Sequence, residues 1–327
     1  MTLQFMQQLP LRPDLVACPY CGAAEHIGIH SHQERRYICH ACKGTFAETK
    51  GTPLYGLHYP TWVVVLVDTL LAFGCPVAAI VAAFGLDERT VAAWQSKAGK
   101  HGERIQDEVV CAGQIALGQV QADEICVTAQ GGKVWMATAI SVFARLFLWG
   151  EVSRKRDRPL IERLLGKVHA AANGVQAVLI AVDGLAAYPK AALKAFHTKL
   201  HTGKPGRPRH LPWPDLHIAQ VVKRYSGKAL TGIERRVAHG CQSRVDDLIA
   251  MSQTMFGLIN TAYIERLNAT FRARLPALAR RTRGMARTVE RLRAEMFWSG
   301  VVYNFCTVHE SLGATPAMAA VLSVVEG

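Results

Sequence analysis

Four cysteines and three carboxylates are the residues of this chain whose types and spacing can do chemistry. Cys18-Pro19-Tyr20-Cys21-Gly22 and Cys39-His40-Ala41-Cys42 form two C-x2-C pairs 17 residues apart, the spacing of a four-cysteine zinc site. Each pair puts two sulfurs on one tight turn, and Arg35-Arg36-Tyr37-Ile38 reads as a strand returning the chain. Four thiolates fill a tetrahedral shell, so the zinc is expected to be structural, with no position open to substrate. A Cys-Pro-Tyr-Cys run is also the dithiol of glutaredoxin-like enzymes, but that chemistry needs a helix start within a βαβ unit and no second pair. His26, His30, His32 and His40 are stand-in ligands that, beside four cysteines, read as solvated or facing nucleic acid. Cys75, Cys111, Cys126, Cys241 and Cys306 are scattered singly and read as small buried hydrophobes.

Asp123 lies inside the strand-like run Val120–Val127, where an unpaired buried carboxylate is costly. Asp183, followed by Gly184, closes the apolar run Ala177–Val182, which has the character of a central strand buried on both faces. An Asp before Gly is also a common turn residue. Two carboxylates brought together at neighbouring strand ends repel unless a divalent cation lies between them, so the pair is a candidate Mg²⁺ site. Strand alternation turns Glu124 to the other face, which favours Asp123. The third acid is Glu265, on a helix whose stripe Ile264, Leu267, Phe271 and Leu275 is apolar. Glu265, Asn268 and Arg272 share a polar face suited to metal, phosphate and DNA backbone, or simply to solvent.

The elements that must position these groups read as three successive units. Residues 1–56 form the zinc-ribbon module. Residues 57–112 read as a helical bundle containing a helix-turn-helix. Pro76 opens one helix with Val77, Ile80, Val81 and Phe84 inward, Gly85-Leu86-Asp87 makes the turn, and Asp87 caps a second helix carrying Thr90, Val91 and Trp94 at core spacing. Arg89, Gln95 and Lys97 lie towards solvent as candidate DNA contacts. In residues 113–327, strands are expected near 120–127, 134–142 and 146–152, then a helix over 158–172 and the strand ending at Asp183. The stretch 201–257 reads as an insertion that opens on a basic Gly/Pro loop including Arg207, similar in composition to a minor-groove hook or an ordinary surface loop. Basic helices are expected over 261–305.

Thirty-eight Lys and Arg against 25 Asp and Glu give a net charge of +13, which favours a polyanionic partner. After Glu265 the charge becomes one-sided, with Arg272, Arg280, Arg281 and Arg283 among nine arginines and Glu290 the lone acid between them, as on a surface that tracks phosphates. Asp68 and Cys75-Pro76 interrupt the most apolar stretch, Trp62–Leu86, which reads as two short buried helices rather than a membrane span. The start of the chain has no signal-peptide pattern, and no P-loop signals a nucleotide cofactor.

Tyr263-Ile264-Glu265-Arg266-Leu267-Asn268 with Arg280-Arg281-Thr282-Arg283, Asp123-Glu124, Asp183-Gly184 and the tail Tyr303-Asn304…His309-Glu310-Ser311-Leu312-Gly313…Thr315-Pro316-Ala317 resemble the bacterial insertion-sequence DDE transposases. So does the order zinc ribbon, helix-turn-helix, catalytic core. The resemblance implies a multidomain α/β chain whose last domain is RNase H-like with a mixed sheet. It further implies Asp123, Asp183 and Glu265 holding two Mg²⁺ (or Mn²⁺) ions for DNA cleavage and strand transfer, with transposon ends and target duplex as partners. A homodimer or larger assembly, and a cytoplasmic place at the nucleoid, go with it. The interval between Asp183 and Glu265 is longer than in the most compact transposases, and Glu234, Asp246 and Asp247 lie inside it. A zinc and helix-turn-helix regulator without catalysis, or a nuclease that cuts without joining, are the other readings of the same features.

Overall fold

The computed structural model describes residues 10–200, 208–227, 229–252, 257–279 and 288–325. Its first unit is a three-stranded antiparallel sheet of β1 (Ile27–Ser31), β2 (Arg36–Cys39) and β3 (Thr45–Ala47). So small a sheet has little to bury. Its core is Leu11, Tyr37 and Phe46 packed around Cys18 and Cys39.

Helices α1 (Thr61–Ala72), α2 (Val77–Phe84) and α3 (Glu88–Ile105) follow. The turn between the last two is built as its residues dictate. Gly85 ends α2 at a φ of 64°, a left-handed conformation that costs glycine little, and the Asp87 carboxylate caps α3 by accepting from the amides of Arg89 and Thr90. Val64, Val67, Leu71, Ile80, Val91 and Trp94 form the shared core. The stretch from Trp62 to Leu86 is two short helices, and among the described residues no helix is long and apolar enough to cross a membrane.

A six-stranded mixed sheet carries the rest. Its strands are β4 (Gly118–Ala129), β5 (Gly132–Ser141), β6 (Leu146–Ser153), β7 (Val178–Asp183), β10 (Leu216–Ser226) and β11 (Ala229–His239), in the order β11-β10-β7-β4-β5-β6. The pairs β4–β5 and β5–β6 are antiparallel, while β7 runs parallel to both β4 and β10. Helices α4 (Arg158–Ala171) and α5 (Ala187–Ala195) flank β7 in the chain, and the small hairpin β8 (His197–Leu200)–β9 (Arg209–Pro212) precedes β10. Helices α6 (Gln242–Met251), α7 (Ala262–Arg274), α8 (Val289–Val301) and α9 (Pro316–Val325) complete the chain. Leu160, Ile161, Leu164, Leu165 and Val168 of α4, and Ile264, Leu267 and Phe271 of α7, join the sheet's main core.

Two expectations are corrected by this arrangement. The interval 201–257 is not simply an insertion, because Leu216–His239 supplies two strands of the main sheet, one of them parallel to β7. The polar residues His217 and Gln220 mask that strand; both are buried and satisfied, His217 by Asp215 and Gln220 by the carbonyls of Asp183 and Leu185. None of the five single cysteines is buried: Cys126, Cys241 and Cys306 are exposed, and Cys75 and Cys111 are intermediate.

The helical unit is fastened to the sheet unit. A Cβ placed on Gly99 of α3 would stand 2.4 Å from the Cβ of Ala294 in α8, so only glycine allows the two helices to pass this closely. Beside that crossing, Arg293 is clasped by Glu103 of α3 at 2.8 Å and Glu151 of β6 at 2.9 Å. Gln106, fully buried just beyond α3, donates to the carbonyls of Phe147 and Leu148.

Candidate metal centres and active site

The cysteine pairs close on each other as their spacing predicts. Cys18 and Cys42 sulfurs are 3.6 Å apart and those of Cys21 and Cys39 3.7 Å apart. A disulfide would bring them to about 2 Å. A tetrahedron of thiolates about 2.3 Å from a zinc ion has edges of about 3.8 Å. The Cys18 amide donates to the carbonyl of Ala23, the Gly22 amide to Cys18, and the Cys39 amide to Gly44, so each knuckle is a closed turn. All four ligand atoms lie within 4.8 Å of one another, a set that can hold a zinc ion.

The second centre lies where β7 ends and β4 parts from it, continuing with β5 alone. Their pairing stops at Ala122 and Val182, leaving Asp123 and Asp183 one step beyond the last rung. Asp183 is fixed by the turn that follows: its Oδ1 accepts from the Leu185 amide at 2.9 Å, while its carbonyl accepts from Gln220. Asp123 is held from α7, where Asn268 donates to its Oδ2 at 2.9 Å and accepts from the Thr138 hydroxyl at 2.9 Å. Burial, followed by the charge of Asp183, pushes the Asp123 carboxyl above the ordinary carboxylate range. Both acids line an open cavity of about 460 Å³, with Lys223 and Tyr225 of β10 and Glu265 of α7 on its other walls.

Glu124 belongs to this cluster, against the expectation from strand alternation. One oxygen each from Asp123, Glu124 and Asp183 lies within a common 4.8 Å. Because Asp183 stands past the end of the β4–β7 pairing, side chains from both faces of β4 can reach it. The Glu124 side chain is fully buried and its Oε2 has no hydrogen-bond partner among the described residues. Burial first, then Asp183, raises its carboxyl to about 7. Beneath it, the Tyr188 hydroxyl is buried completely, and burial together with Glu124 pushes its pKa well above the ordinary phenol value.

Two cations offset part of this negative charge. Arg156, over the ring of Trp135, donates to Glu124 and to Asp183, each at 3.3 Å. Lys223 reaches Glu265 at 2.8 Å, and the Thr261 hydroxyl donates to the same carboxylate oxygen. Glu265 thus stands in the cavity but outside the tight group of three, exposed and drawn to Lys223. An all-oxygen donor set with one buried, unpartnered carboxylate oxygen fits a hard divalent cation such as Mg²⁺ or Mn²⁺ better than a soft one.

The candidate DNA contacts divide. Asn268 is 1 % exposed and bonded on both sides, so it positions Asp123 and has no surface to offer DNA. Gln95 is buried as well, since α3 turns that face towards α8. Arg89 is exposed, Lys97 half-exposed with its ammonium on the Tyr55 carbonyl, and Arg272 half-buried. Arg207, Arg280, Arg281 and Arg283 lie outside the described residues. Of the neighbouring arginines, Arg293 and Arg274, the latter stacked on Phe73, serve packing between units. Arg156 and Lys223 are site residues that sequence reasoning misses. The only signal for Arg156 is the run Arg154-Lys155-Arg156-Asp157-Arg158, directly after a strand.

No protein-family model matches this chain, and no curated protein matches it at a significant level.

Proposed function

We propose that the protein is a DNA strand-transfer enzyme of the DDE transposase type, with Asp123, Asp183 and Glu265 as its metal-holding acids and Glu124 beside them. The observation that carries the reading is the meeting of Asp123 in mid-β4 with Asp183 at the end of β7, where the pairing of the two strands stops, with Glu265 facing the same cavity from α7. The succession β4, β5, β6, α4, β7, α5 supports it as well, being the RNase H-like order in which such acids converge.

When bound between these carboxylates, divalent ions supply an activated water or DNA 3′-hydroxyl and stabilise the leaving oxygen of an in-line displacement at phosphorus. The chain's own residues do the remaining work. Asn268 and the Leu185 amide hold Asp123 and Asp183 in fixed orientations. Arg156 and Lys223 carry positive charge at the wall, where a phosphodiester would enter an otherwise repulsive acidic cavity. The zinc ribbon and the helix-turn-helix bind the transposon ends, the target is double-stranded DNA, and pairing of two ends calls for a dimer or larger assembly at the nucleoid.

Product analysis tests this. The full chain, incubated with its flanking DNA and Mg²⁺ or Mn²⁺, should join a 3′-hydroxyl end to a second duplex, and Asp183→Asn should not. Cut products without joined ones would make it a nuclease. Binding without any metal-dependent product would make it a regulator.

A further inference from the structure

Helix α3 carries a cationic face that the catalytic cavity does not use. Arg89, Lys97, Lys100, His101 and Arg104 fall within roughly a third of the helical circumference, at 100° per residue, and run along about 22 Å of it. Val91, Ala98 and Gly102 are buried on the far side, with Trp94 buried at the edge. Glu103, at the border of the face, is already engaged by Arg293.

The carboxyl-terminal half of this face is one wall of an open cleft of about 310 Å³. The other wall is the chain leaving the zinc-ribbon sheet, from Gly51 to Tyr55. The hydrogen bonds across the cleft leave its charge intact. Arg104 donates to the Gly51 carbonyl at 2.7 Å and lies 2.9 Å from His101, and Lys97 donates to the Tyr55 carbonyl. These acceptors are neutral, and no acidic side chain lines the cleft among the described residues. Lys50, 4.2 Å above the Tyr20 ring and 5.8 Å from that of Tyr55, extends the positive surface towards the cysteine knuckles. Burial first, then the neighbouring Arg104, lower the His101 pKa against an opposing pull from Glu108, so the imidazole is the uncharged member of this face and Lys97, Lys100 and Arg104 carry its charge.

Resting on the DNA-binding part of the proposed function, we infer that the cleft of Lys97, Lys100, His101 and Arg104 clamps the phosphate backbone of a DNA duplex. The amino-terminal half of α3, with Arg89, then faces base edges in the groove, while the carboxyl-terminal half and the Gly51–Tyr55 segment hold the strand beside it. Charge selects a polyanion. Length selects a polymer over a small anion, because the 22 Å face is as long as roughly six base steps of duplex axis at 3.4 Å each, far more than one phosphate can cover. The device also fixes the zinc module to the helix where the duplex lies, so both modules grip one duplex.

The test is binding of the full chain to a labelled duplex, by fluorescence anisotropy, across a series of KCl concentrations. Removing one cation that neutralises a phosphate should flatten the slope of log K against log salt by about one unit. Lys100→Gln should therefore lower it by about one and Lys100→Gln/Arg104→Gln by about two. Lys190→Gln/Lys199→Gln removes the same charge from exposed positions elsewhere and should leave the slope unchanged. Lys100 is exposed and bonds to no other described residue, so its result stands even if loss of Arg104 disturbs the Gly51 segment. Tight wild-type binding with an unaltered slope in the cleft variants, or an equal change in the control pair, overturns the clamp and leaves DNA binding standing. Absence of wild-type binding overturns the DNA reading itself.

Discussion

The two candidate metal centres are built on opposite plans. The cysteine centre is local and complete: four sulfurs from two tight turns, already spaced as tetrahedral edges, each turn closed by its own backbone hydrogen bonds. The carboxylate centre is assembled from β4, β7 and α7, opens onto a cavity, and carries Arg156 and Lys223 on its acids. A closed shell leaves a metal nothing to do but hold the chain together. An open, partly neutralised set leaves room for a reacting group, and its acids depend on neighbours that can be altered one at a time.

That contrast can be broken most severely at the cysteines. Cys39→Ser, or strong chelation, should unfold the ribbon, since a structural zinc site supplies on the order of 10 kcal/mol to folding. Hydrogen exchange should show protection disappearing in β1–β3 with the six-stranded sheet still protected. At the second centre the effect should fall on activity and not on the fold: Asp183→Asn should reduce strand joining by at least about a thousandfold, or roughly 4 kcal/mol, with an unchanged melting temperature.

Asp68 is the comparison's control, a buried carboxylate with neither metal partners nor a cation. Its Oδ1 has no hydrogen bond among the described residues, and burial raises its pKa from 3.8 to about 7. The folded chain therefore keeps a proton that the unfolded chain releases. The contribution to stability is fully present below about pH 4 and is lost as pH rises through 7, an effect of about 4 kcal/mol. Denaturant titrations at several pH values should show this decline in the wild type and a flatter profile in Asp68→Asn.

Smaller effects sharpen the account of the carboxylate site. Asn268→Ala removes the donor that orients Asp123 and should lower activity about 10- to 100-fold, in the range of groups that orient metal ligands. Partial rescue by Asn268→Gln is not expected, because the Thr138 hydroxyl fixes the reach of the side chain. Lys223→Gln breaks an exposed pair worth less than about 1 kcal/mol, so stability should hold while apparent Mn²⁺ affinity rises as Glu265 is released.

The difference between the centres also explains what can be read from the sequence. The cysteine pairs, the Gly85–Asp87 turn and the strands around Asp123 and Asp183 are written in short segments, where spacing and capping decide the outcome. Strand β10 is hard to see because His217 and Gln220 break its apolar pattern, and Gln220 finds its partners far along the chain, in the carbonyls of Asp183 and Leu185 and in Arg236 of β11. Alternation misplaces Glu124, because it says which face a residue leaves from and not where the adjacent strand ends. Helical spacing puts Asn268 and Gln95 towards solvent, but packing of α7 on β4–β5 and of α3 on α8 buries both. Arg156 reaches its partners from a loop, where no periodicity applies.

The central claim is that Asp123 and Asp183 form a divalent-metal site separate from the cysteine centre. Titration of the zinc-loaded full chain with Mn²⁺, followed by electron paramagnetic resonance, tests it directly. The account predicts saturable Mn²⁺ binding that Asp183→Asn abolishes and that leaves bound zinc undisturbed. Mn²⁺ binding equal in the wild type and in Asp183→Asn, or none in either, would contradict it.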